Sequence, residues 1–65
     1  MKVQITSDQI KKLTPGTEVR VVNHKTGMTC VLWVAEKDGE KILIDTQQYV
    51  WKIRETEGFH YEVDM

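Results

Sequence analysis

With 65 residues, a net charge of −1, 40% hydrophobic and 29% charged residues, the chain has the size of one small domain and the composition of a folded soluble protein. The near-neutral charge argues against a protein that works by blanketing phosphates, and the single cysteine, Cys30, excludes an internal disulfide. No run approaches the ~18 apolar residues of a membrane span, and apolar residues spread over the full length argue against disorder.

"KVQIT" reads as a short first strand, and "TSDQIKKL" as a helix over 7–13. Thr6 or Ser7 caps that helix, with Gln9 three residues after Thr6 as a capping-box partner, and Ile10 and Leu13 share one face. "TPG" ends it, because the residue before proline avoids the helical region. Period-two runs rich in β-branched and aromatic residues then predict strands near 17–23, 28–36, 41–46, 49–55 and 59–64.

The loops set the register. "HKTG" as a four-residue loop pairs Val21 with Cys30 and Val19 with Leu32. "KDG" as a three-residue loop pairs Val34 with Ile42, and "QQ" as a two-residue loop pairs Ile44 with Trp51. "TEG", the fourth loop, ends in Gly58 and pairs Ile53 with Tyr61 and Trp51 with Val63. This register gathers Val19, Val21, Cys30, Leu32, Val34, Ile42, Ile44, Trp51, Ile53, Phe59, Tyr61 and Val63 on one face. A five-stranded antiparallel meander with one apolar face tends to curl and close. The fold expected over residues 1–65 is therefore mainly β, a single SH3-like barrel domain with one short N-terminal helix. An OB-like barrel or an open α+β sheet is the alternative.

"CVLWVA" at 30–35 is apolar on both sides of its strand, so a second surface needs cover. In this register Trp33 lies opposite Leu43, and Val31 opposite Asp45 with Val50 next along. Three explanations compete: the helix docks there through Ile10 and Leu13, a partner or a second copy covers the patch, or Trp33 belongs to the core. Arg20, Lys52 and Arg54 share this outer face and would form a basic rim.

Catalytic groups are scarce. Ser7 is better used as a cap, and Cys30 falls on the inner face, where a thiol is normally inert. His60, Glu62 and Asp64 share one strand face at about 6–7 Å spacing, enough for a general base with carboxylates or, with His24, a metal site. A solvated strand face explains them as well. No CxxC, HExxH or glycine-rich phosphate loop is present, and neither an enzyme nor a cofactor is expected. Glu55, Glu57, Glu62 and Asp64 are too few, and too mixed with Lys52 and Arg54, to mimic nucleic acid.

"LTPGTEVRVVNHKTG" resembles KOW-type SH3-like modules at Pro15, Gly16, Val19, Val21 and Gly27. The resemblance implies contacts with RNA or proteins, and Lys25 at the hairpin tip could reach a phosphate. The reading the residues favour is a non-catalytic module that binds another protein, with Trp33, Val31, Leu43 and Val50 as anchor and Arg20, Lys52 and Arg54 as rim. A small phage or bacterial regulator or inhibitor of a larger host protein fits that description. Nucleic-acid binding and homo-oligomerisation are the alternatives, as monomer or homodimer. "MKVQITSDQI" has no signal-peptide hydrophobic region, so a cytoplasmic setting is expected.

Overall fold

The computed structural model describes residues 1–54 and 57–64. Its elements are β1 (Lys2–Ile5), α1 (Ser7–Ile10), β2 (Glu18–Asn23), β3 (Thr29–Lys37), β4 (Glu40–Ile44), β5 (Val50–Lys52) and β6 (Phe59–Asp64). The strands form one antiparallel sheet in the order β1-β6-β2-β3-β4-β5. The protein is thus mainly β with one short helix, and β1 and β5 are the two sheet edges.

The helix starts as its cap requires. Thr6 Oγ1 accepts from Gln9 N at 3.2 Å, and Gln9 Oε1 accepts from Thr6 N at 2.8 Å, so two amides left over at the helix start are satisfied reciprocally. One helical turn cannot stand alone. It is held by Ile10, which is fully buried in a cluster with Ile5, Val19, Leu32, Val34, Leu43, Tyr61 and Val63. Lys41 Nζ donates to Leu13 O at 2.8 Å just beyond the helix. The helix therefore covers the inner face, and the expectation that Ile10 and Leu13 lie on Trp33 is corrected.

The β2–β3 hairpin has the expected register, with Val21 opposite Cys30 and Val19 opposite Leu32. Gly27 takes φ +73° at the end of the four-residue loop, and Asn23 Oδ1 accepts from Lys25 N and Thr26 N to brace its start. The next two loops differ from expectation by one residue each. Lys37 pairs with Glu40, so the β3–β4 loop is Asp38–Gly39 alone, both at positive φ (54° and 78°). Asp-Gly is a favoured sequence for this two-residue bend, whose twist matches the strands it joins. Val34 consequently faces Leu43 rather than Ile42. In the β4–β5 loop, Asp45 N donates to Tyr49 O, and Gln48 supplies the positive φ of 66° that no glycine provides. Three residues, Thr46–Gln48, make this bend, and Trp51 faces Leu43 rather than Ile44.

These shifts exchange alternate residues of β4. Leu43 is a core residue, 1% exposed, and not part of the outer patch. Ile42 and Ile44 leave the inner set and stand on the Trp33 face, opposite Ala35 and Trp33. A period of two leaves no intermediate outcome. The two shifts cancel at β5, which keeps Trp51 on the inner side and Val50 on the outer.

The expected β5–β6 hairpin does not form. Thr56 of its proposed loop, and Glu55 at the end of the expected strand, lie outside the described residues. β6 instead lies between β1 and β2, with Val63 opposite Val3 and Tyr61 opposite Val21. Its backbone is thereby paired on both sides, which a hairpin with β5 alone would not achieve. The Tyr61 hydroxyl donates to Arg54 O at 3.1 Å and accepts from Arg54 N at 3.2 Å, so it fastens the chain leaving β5.

Candidate functional site

The helix fills only one end of the inner face. At the other end, between β5, the β2–β3 tip and β6, the sheet encloses an apolar groove of about 350 Å³. Val21, Cys30, Leu43, Phe59 and Tyr61 line it, and Met28 and Trp51 flank its mouth. The ring edge of one of Phe59 and Tyr61 meets the face of the other at 5.3 Å between centroids and 87° between planes, a favoured aromatic geometry. Met28 is 68% exposed and Trp51 45% exposed, a large apolar area for so small a domain.

Trp51 is held in place from its polar end. Its Nε1 donates to Asp45 Oδ2 at 3.1 Å, while Asp45 Oδ1 accepts from Gln47 N at 2.8 Å and Tyr49 N at 3.0 Å. Desolvation pushes the Asp45 carboxyl up, but hydrogen bonds from the Trp51 indole and from backbone amides of the loop outweigh it. The carboxyl is therefore held below its ordinary range. A fixed indole has already lost the rotational freedom that binding would otherwise remove.

Polar residues at the groove are Asn23, Thr26, Lys52 and Arg54, with no carboxylate among the described residues that line it. The Lys52 and Arg54 side chains form no ion pair among the described residues. The groove thus offers apolar walls, a fixed aromatic edge and a cationic rim.

The residues singled out from sequence are divided between two faces. Trp33 and Val31 lie half-buried on the outer face, and Val50, 54% exposed, shares it. Leu43 forms part of the floor of the groove on the opposite face. Arg20 sits opposite Val31 and Glu62, three strands from Lys52, roughly 14 Å at the usual strand spacing. The expected basic rim therefore contracts to Lys52 and Arg54, which border the groove. Trp33 packs on the same face as Ile42 and Ile44 and is not a protruding anchor.

The histidines do meet. His24 Nε2 lies 2.7 Å from His60 Nδ1, and His60 Nε2 lies 2.7 Å from Glu62 Oε2. A metal shared by two imidazoles would hold their nitrogens about 3.3 Å apart, from tetrahedral bonds of ~2.0 Å. The closer approach is that of a hydrogen bond, and no group of three metal-ligating side chains occurs among the described residues. Asp64 does not join them, because its Oδ1 accepts from the N-terminal ammonium at 2.8 Å. That ammonium, by hydrogen bond and charge, holds the Asp64 carboxyl below its usual range.

Trp51, which the apolar pattern places in the core, is the candidate site residue that pattern missed. The available signal was "DTQQYVW", in which an aspartate opens a turn and a tryptophan follows on a short strand. No protein-family model, no curated protein and no solved structure matches this chain. No helix among the described residues is long and apolar enough to cross a membrane.

Proposed function

We propose that this protein is a non-catalytic interaction module that binds another protein through the groove beside Trp51. The observation that carries the reading is the pairing of an exposed indole, fixed by Asp45, with an uncovered apolar groove. Tryptophan is enriched at the centres of protein interfaces, where a rigid aromatic gives much buried area at little entropic cost. In the finer description of the fold, the sheet is an SH3-like barrel left open between β1 and β5, and the opening admits the partner. A small regulator or inhibitor of a larger protein is the role such a module fits.

Capture from native lysate tests this reading, with Trp51→Ala and Trp33→Ala baits and a nuclease-treated sample in parallel. Each bait is first checked for folding by circular dichroism. The expected result is a partner lost with Trp51→Ala, kept with Trp33→Ala and insensitive to nuclease. Loss on nuclease treatment favours the nucleic-acid alternative, in which Lys25, Lys52 and Arg54 contact phosphates around the indole. Retention by the folded Trp51→Ala bait overturns the groove as the site.

A further inference from the structure

The groove is open along β5, and that strand has a free edge. Asp45 N donates to Tyr49 O, which places this pair in the hydrogen-bonded class of an antiparallel ladder. Two residues along, Leu43 and Trp51 form the next such pair. The backbone groups of Trp51 therefore point toward β4, while those of Val50 and Lys52 point outward from the sheet. Among the described residues no strand lies on that side. Exposed edges of this kind accept an extended chain by backbone pairing.

Side-chain alternation then sets what the added strand must carry. A residue opposite Trp51 projects to the inner side, over the groove, and its neighbours project beside Val50 and Lys52. The groove is apolar, and among the described residues that line it the charged ones are Lys52 and Arg54. A second copy of the chain offering the same edge would bring its own Lys52 and Arg54 alongside, and like charges directly opposed are unfavourable.

We infer that the occupant is an extended, acidic peptide segment of a partner protein, which adds to the sheet along β5. It places one large apolar side chain in the groove and carboxylates against Lys52 and Arg54. This inference rests on the proposed groove reading and adds the partner's conformation and charge.

A phage-displayed library of random dodecapeptides, panned against the whole protein with Trp51→Ala as counter-bait, tests it. Enriched peptides are expected to carry an aromatic or large aliphatic residue flanked by Asp or Glu. Synthetic copies should shift the backbone amide resonances of Val50 and Lys52. They should lose at least about tenfold in affinity when alternate backbone amides are N-methylated, or when the acids are replaced by Asn and Gln. The Lys52→Glu/Arg54→Glu double variant should switch the enrichment to basic peptides.

Proline-rich or basic enrichment on the native protein overturns the inference, as does an absence of enrichment. Acidic peptides that move the Trp51 indole resonance but not the Val50 and Lys52 amides overturn edge pairing and leave the groove reading standing. Equal enrichment on folded Trp51→Ala overturns both. A dimer seen by light scattering that broadens the Val50 and Lys52 amides assigns the edge to a second copy, and displacement of the peptide by a random-sequence oligonucleotide assigns the rim to nucleic acid. Either result overturns the inference.

Discussion

Asp45 and Trp51, six residues apart, are joined across the β4–β5 bend by a 3.1 Å bond from the indole Nε1 to Oδ2. The same carboxylate organises the loop that carries the chain from one residue to the other. Loop geometry and the posture of the exposed indole therefore depend on one ionised group.

Acid should release this coupling. The Asp45 carboxyl, by the loop and indole hydrogen bonds, and the Asp64 carboxyl, by the N-terminal ammonium, are both held below the ordinary value of 3.8. A depressed folded-state value means the unfolded chain binds protons more readily. The stabilisation is fully present above the unfolded-state value and is lost as pH falls through the folded one. The denaturant midpoint contribution of these groups should be flat from pH 7 to about pH 5 and fall below about pH 4. Asp45→Asn should remove part of that fall and broaden the Trp51 indole N–H resonance. An unchanged pH profile and a sharp indole signal in the variant would refute the coupling.

Leu43 and Trp33 should separate core from surface. Leu43→Ala empties a site that is 1% exposed and should cost about 2–5 kcal/mol, enough to leave a domain of this size partly unfolded at 25 °C. Trp33→Ala, on the half-buried outer face, should leave the near-native amide spectrum in place and destabilise less. Urea titrations of both variants give the comparison, and the reverse order would mean that the Trp33 side is the interior.

Gly39 tests the β3–β4 register. It sits at φ +78° with no atom within 4 Å of where a Cβ would stand, so Gly39→Ala meets no clash and only the cost of a left-handed backbone. A loss of about 1–2 kcal/mol with an unchanged urea slope is expected. A neutral effect would mean that the bend is not the two-residue Asp38–Gly39 turn.

Thr6→Ala removes one half of the reciprocal cap on α1. Because the helix is a single turn that carries Ile10 into the core, a cost of about 0.5–2 kcal/mol is expected, with faster amide exchange at Gln9. Unaltered exchange there would show that Ile10 alone holds the helix.

Cys30 was expected to be inert on the inner face, yet it is exposed and lines the groove. Iodoacetamide should modify it in the native protein, and an enriched dodecapeptide should slow that reaction. Equal rates with and without saturating peptide would place the peptide elsewhere.

How much of this was legible in the chain depends on the range of the interaction. The capping residues Thr6 and Gln9, the Gly27 loop with the β2–β3 pairing, and the position of Trp33 on the outer face follow from contacts within a few residues. The strands of the candidate site were legible for the same reason, but the site itself was not. "KDG" and "QQ" each admit loops of two or three residues, and the one-residue difference decides which of Leu43 and Ile42 is buried. Two such differences cancelled at Trp51, so its face was right while its exposure was not.

Sequence alone determined a small, mainly β chain with glycine at two hairpin bends, Gly27 and Gly39, and a capped helical turn, because backbone conformation at those points is fixed by local sterics and hydrogen bonding. The tertiary structure decided that β6 lies between β1 and β2, and that α1 covers the inner face at one end only. Those outcomes turn on strands distant in sequence competing to satisfy backbone edges and bury apolar area, a competition that no local pattern records. The groove beside Trp51 is the part of the inner face left uncovered once it was resolved.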